Sequence, residues 1–207
     1  MNQIKRDFQR TPITITLIGI CIVVYVISFL VYGMEMNAMQ GLDFGAYNPI
    51  YVYAGHEYYR LITANFVHFG LFHILVNCYS LHSIGMFIEL SLKKKNYLIV
   101  ILSCMVSTTL LPYLLFLVNG FEAYTVSGGI SGVIFGLIGA LGALALQYKN
   151  IFEDVFRQLA PNLILMLVLS FMVPTISLSG HVSGLIGGFV STMIILNKPM
   201  KKNRLVN

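Results

Sequence analysis

The sequence predicts an all-α membrane protein, a polytopic bundle of six transmembrane helices forming one domain over 1–207. Three observations carry that prediction. Only 10% of the 207 residues are charged, 57% are hydrophobic, and mean hydropathy is +0.80. A soluble globule carries roughly 25% charged residues, so this chain cannot cover a water-facing surface. Apolar runs recur along the chain at or near the ~20 residues needed to cross a bilayer. The basic residues cluster at the ends of those runs. The net charge of +5 therefore reflects membrane topology and is no signal for nucleic acid.

Residues 1–11 are a short basic tail with Lys5, Arg6 and Arg10. The run 13–32 is the first span. It is too long for a signal-peptide core and is expected to stay attached. Residues 33–62 are polar and rich in tyrosine, which prefers the headgroup zone, so a loop lying partly in the interface is expected. The later spans fall at 66–90, 97–118, 131–147, 159–176 and 181–196, followed by a basic tail. Cys21, Cys78 and Cys104 all sit in apolar runs and read as small hydrophobes; their odd number argues against a disulfide framework.

With the N-terminus inside, every Lys and Arg except Arg60 falls in a segment assigned to the cytoplasm, as the positive-inside rule demands. Both termini are then cytoplasmic. The second, fourth and sixth helices run from outside to inside. His68, His73 and Asn77, early in the second, Ser131 at the start of the fourth, and His181 at the start of the sixth share one depth on the outer side. Polar groups at membrane depth default to a functional reading.

Ser131 is flanked by Gly129 and Gly132 and opens a helix without a charged residue. A serine hydroxyl is a weak nucleophile without a base. No lysine lies in an apolar run, and His181 is the histidine that opens another glycine-rich helix. Gly180, Gly184 and Gly188 form a small-residue face, as do Gly132, Gly136, Gly139 with Ala140, and Ala143. Such faces invite close helix contact, with Ser131 and His181 at the same end of the seam. No acidic residue lies in the outer half of any span, so a dyad is expected rather than a triad. His73 and Asn77 are four apart on one helix face and, with the backbone N–H at the helix start, can stabilise an oxyanion. His82 belongs to another face.

Plainer roles compete with these. A transmembrane serine commonly bonds its own backbone or joins two helices. The spacings of His68, His73 and His82 do not stack as metal ligands, so neither a metal nor another cofactor is expected. Glu89 reads as structural, beside Lys93, and Arg60 and Glu57 read as loop anchors.

Taken together, these residues resemble a known family. The stretch Glu57 to Thr63, followed by Asn65 to Asn77, is similar to the first-loop and second-helix signature of rhomboid intramembrane serine proteases. Gly129-Ile130-Ser131-Gly132 matches the family's Gly-x-Ser-Gly motif, and Gly180 to Gly188 resembles its histidine helix. The resemblance implies Ser131 as nucleophile and His181 as general base. It implies His73, Asn77 and the Ser131 backbone N–H at the oxyanion, and Phe135 as the aromatic packing on the histidine, where the family often has Tyr. Gly85 and Glu89 resemble a structural Gly-x-x-x-Glu motif. Tyr59-Arg60 stands where the family usually has Trp-Arg, and Ser183 where it often has Gly. A seventh helix or sizeable soluble domain is not expected.

The function implied is intramembrane serine endopeptidase, cleaving transmembrane or juxtamembrane segments of membrane proteins near the outer face. The partners are then such substrates and the lipid bilayer, with no nucleic acid; the compact core and the lack of a targeting segment point to a bacterial plasma membrane. The alternative is a non-catalytic rhomboid-like protein that binds membrane helices. A channel or transporter would predict charges or broken helices at mid-depth, which this sequence does not show. Oligomeric state is left open.

Overall fold

The computed structural model describes residues 3–158 and 177–197. Over these the protein is helical, with two isolated bridges, Glu35 to Gly70 and Tyr47 to Ser127. The helices are α1 (Gln3–Arg10), α2 (Pro12–Tyr32), α3 (Ala38–Asp43), α4 (Pro49–Tyr53), α5 (Arg60–Thr63), α6 (Leu71–Ser91), α7 (Lys94–Asn119), α8 (Ser131–Gln147), α9 (149–158) and α10 (Leu178–Leu196). Among the described residues, α2, α6, α7 and α10 are long and apolar enough to cross a membrane. The span expected over 159–176 lies outside the described residues.

At 17 residues, α8 is roughly 25 Å long, short of the ~30 Å hydrocarbon core. It is apolar all round, the pattern of a helix enclosed by others, and every residue from Gly132 to Ala145 is buried. α7 and α10 flank it, and Leu81, Ile88, Tyr97, Ile101 and Cys104 complete the core. The outward faces of α2 and α7 expose apolar side chains such as Val23, Leu30, Leu102 and Leu114.

Helix ends follow local chemistry. Pro12, whose missing N–H is no loss at a helix start, opens α2, and Gly33 at φ +86° closes it. Gly120, left-handed at φ +72°, closes α7. The expected start of the second span at Phe66 is corrected to Leu71. Ala64–Phe66 form one tight turn, and Val67 and Gly70 are extended. There Phe69 accepts the Met36 N–H at 2.8 Å. His68 therefore precedes the helix and does not ride on it. α6 also contains a π-helical turn, Leu81–Gly85. α7 starts at Lys94, three residues before the expected Tyr97. α10 starts at Leu178 because the Ser177 hydroxyl caps it, accepting the Gly180 N–H at 3.0 Å; His181 is thus its fourth residue.

The expected loop 33–62 holds three short helices, two of them capped by Asn37 and Asn48. Arg60 organises it. Its guanidinium is buried, donates to Leu42 O at 2.8 Å and Ala46 O at 2.9 Å, and reaches Glu57 Oε2 through Nε at 2.7 Å.

Glu89 is corrected from a neighbour of Lys93 to the cap of α2. Its carboxylate accepts the Ile13 and Thr14 N–H groups at 3.1 and 2.8 Å and the Thr14 hydroxyl at 2.7 Å. Helix starts leave N–H groups unpaired and attract negative charge. Gly85, one turn earlier, leaves room for Thr14: a Cβ there would stand 2.9 Å from its methyl.

α8 and α10 meet backbone to backbone. A Cβ on Gly184 would collide with Gly132 O, one on Gly188 with Gly136 O, and one on Gly139 with Leu185 O. Glycine at these places permits the approach.

Candidate active site

Ser131 is the first residue of α8. The turn before it needs Gly129 at φ +112°, where a Cβ would stand 2.7 Å from His73 Nε2. The approach to Ser131 is fixed by backbone pairing: Tyr47 and Ser127 exchange hydrogen bonds at 2.8 and 3.0 Å, and Gly129 N–H donates to Ala64 O at 2.9 Å.

Across the glycine seam, His181 Nε2 lies 2.8 Å from Ser131 Oγ. The Phe135 ring stacks on the His181 imidazole with centroids 4.2 Å apart and planes 18° apart. Phe135 is fully buried and His181 nearly so. Sequence separation of fifty residues is bridged because both side chains sit in the first turns of helices that touch along their glycines.

His73 is the third residue of α6. The Phe69 N–H points at its Nδ1 across 3.4 Å, which leaves Nε2 to carry the proton and face Gly129. Asn77 Nδ2 lies 3.7 Å from the same Gly129 Cβ position while donating to His73 O at 3.0 Å. The Ser131 N–H, at a helix start, has no carbonyl one turn back to bond. Three helix N-termini, those of α6, α8 and α10, thus converge, each with its partial positive end.

His68 stands apart from this group. Its Nδ1 pairs with Phe66 O at 3.1 Å, which leaves Nε2 to accept the Ile130 N–H at 3.5 Å. It braces the residue before Ser131, and its ring meets that of His73 edge-on at 5.0 Å.

A cavity of about 60 Å³ borders Ser131, His73 and His181. Thr108, Thr109 and Asn65 also line it, and the sequence assigns a role to none of them. Pro112 cannot donate to Thr108 O, and that carbonyl lies 3.4 Å from where a Cβ of Gly180 would be. Thr109 Oγ1 donates to Leu61 O at 2.7 Å. The run Ser107-Thr108-Thr109 inside an apolar helix was the available signal. For Asn65 the signal was its place at the start of the stretch Asn65 to Asn77.

The model of the Rhomboid domain matches residues 55–198. The chain belongs to the rhomboid family. It is 30% identical over 187 residues to Rhomboid protease GluP of Bacillus subtilis (strain 168), covering 88% of this chain and 35% of that protein. It is 30% identical over 161 residues to RHOMBOID-like protein 1 of Arabidopsis thaliana, covering 75% and 39%. Putative rhomboid protease YdcA of Bacillus subtilis is 27% identical over 150 residues, 72% of this chain and 73% of that one. The chain spans well under half the length of the first two. As a rhomboid-family protein with apolar helices of spanning length, it is a membrane protein.

Proposed function

We propose that this rhomboid-family chain is an intramembrane serine endopeptidase, a single membrane domain over 1–207 that cleaves transmembrane or juxtamembrane segments of membrane proteins. The observation that carries this reading is the 2.8 Å separation of His181 Nε2 and Ser131 Oγ. In this reading His181 takes the hydroxyl proton as Ser131 Oγ attacks the scissile carbonyl. The tetrahedral oxyanion is held by the Ser131 N–H, His73 Nε2–H and Asn77 Nδ2–H. Removing one such donor from a protease costs about 2.7–4 kcal/mol of barrier. The imidazolium then protonates the leaving amine, the acyl-enzyme forms, and water activated by His181 hydrolyses it. The neighbouring cavity, at about 60 Å³, has room for water.

A substrate helix hides its carbonyls in i→i−4 bonds, so segments with helix-breaking or small residues near the cleaved bond are the favoured substrates. The membrane in this reading is a bacterial plasma membrane, and the charge distribution supports an orientation with both termini cytoplasmic and the dyad towards the outer face.

The test is labelling of the detergent-solubilised protein with a fluorophosphonate, beside cleavage of a transmembrane substrate. Wild type labels, and Ser131→Ala and His181→Ala do not. A folded wild type that neither labels nor cleaves overturns the proposal in favour of a non-catalytic helix-binding protein.

A further inference from the structure

Resting on that reading, we propose that Glu122 and Ser179 form a latch that positions the His181 helix against the loop leading to Ser131. The sequence offered no acidic residue in the outer half of a span. The fold nevertheless brings one carboxylate to the start of α10. Glu122 Oε2 accepts the Ser179 hydroxyl at 2.6 Å, two residues before His181. Ser177 Oγ lies 3.3 Å from Ser179 Oγ and caps the same turn. A carboxylate at a helix N-terminus is electrostatically favoured, and a charge-assisted bond of this length is a strong one.

Glu122 is held at φ +55°, a conformation that non-glycine residues adopt rarely and only where the surroundings fix it. They do fix it. Asn48 Nδ2 donates to Ala123 O and Thr125 O, and Tyr47 pairs with Ser127. The segment from Glu122 to Ser131 is thus a braced strut with the nucleophile at one end and the latch at the other. The glycine seam fixes α8 and α10 along their lengths. The first seam contact, Gly184 on Gly132, lies one turn after His181, and the latch adds a second fixed point before it, at the start of α10. Glu122 is a positioning residue, since its bond is to Ser179 and it acts through the helix.

The experiment uses the full chain in detergent micelles, reading fluorophosphonate labelling rate and turnover of a transmembrane substrate. Glu122→Gln and Ser179→Ala each lower the labelling rate and kcat by roughly 10- to 100-fold, the range a misplaced reacting group produces, with KM within about twofold. The double variant is no worse than either single one, and Ser179→Thr, which keeps the hydroxyl, restores the rate. End-point labelling counts competent molecules, so a folding loss in Glu122→Gln does not mimic the effect, and Ser179→Ala supplies an independent variant. Wild-type rates in both variants, additive losses, or a change confined to KM overturns the latch while leaving the dyad standing. Undiminished labelling of Ser131→Ala overturns the dyad and the latch with it.

Discussion

The Phe135 ring lies flat against the His181 imidazole, 4.2 Å between centroids, and Phe135 sits one helical turn after Ser131 on α8. The residue that follows the serine by a turn therefore sets the plane of the histidine. Phe135→Tyr preserves the stacked ring and retains activity. Phe135→Ala removes the ring face that holds the imidazole plane, and labelling by fluorophosphonate falls by roughly 10- to 100-fold. Equal rates in the two variants would remove the orienting role.

The glycine seam makes a graded prediction. Gly188→Ala drives a methyl into Gly136 O, so the helices must part, at about 1–3 kcal/mol. Gly19, on the exposed face of α2, has nothing within 4 Å of its would-be Cβ. Gly19→Ala gains up to about 1 kcal/mol of helix propensity. Unfolding titrations in mixed micelles should separate the two in sign.

Glu89 is tested at the far end of the bundle. Glu89→Gln places an NH₂ group among three donors that now share a carboxylate. A buried donor left unpaired costs about 1–3 kcal/mol. Stability falls, while kcat per labelled molecule is unchanged, because the site lies at the opposite end of α6. A kcat loss matching the stability loss would contradict this separation.

The loop 33–62 carries a pH dependence. The Tyr59 hydroxyl, and after it Arg60, hold the Glu57 carboxyl below its ordinary 4.5. A carboxyl depressed in the folded state contributes stability that is present above its unfolded value and is lost as pH falls through the folded one. Amide-exchange protection of residues 42–46, corrected for intrinsic rates, should be level above about pH 5 and decline below 4.5. Arg60→Lys should show lower protection at every pH, because an ammonium cannot serve Leu42 O, Ala46 O and Glu57 in Arg60's planar geometry.

Gly129→Ala combines a left-handed backbone at φ +112° with a clash at His73 Nε2. Cleavage activity should drop by at least the ~100-fold typical of a lost oxyanion donor, while Gly33→Ala, left-handed but open, affects stability alone.

The approach of Ser131 and His181 is legible because their polar character and their packing leave the same mark. Ser131 and His181 each sit among glycines, and glycines spaced by four residues say which helices touch. The position of His68 was not legible. Phe66 and Val67 continue the apolar run, and hydropathy does not distinguish a helix from an extended segment bonded to Met36 and bridged to Glu35. Thr108 is not legible in the sequence, because its place depends on Pro112 freeing a carbonyl and on Gly132 approaching from another helix. Glu122 lay in a loop, and no periodicity reports which loop residue will meet a helix start fifty-seven positions later. Glu89 reads as structural from the sequence, but proximity along the chain favours Lys93 and says nothing of the N-terminus of α2, which the fold brings to it.

The contact of Gly136 and Gly188 also has a mechanical meaning. Two helices in backbone contact have no compressible side-chain layer between them, so neither slides nor tilts without the other. Ser131 and His181 therefore travel as parts of one rigid body, like two jaws cut from a single block. Any motion that opens the site belongs to the parts that surround that block.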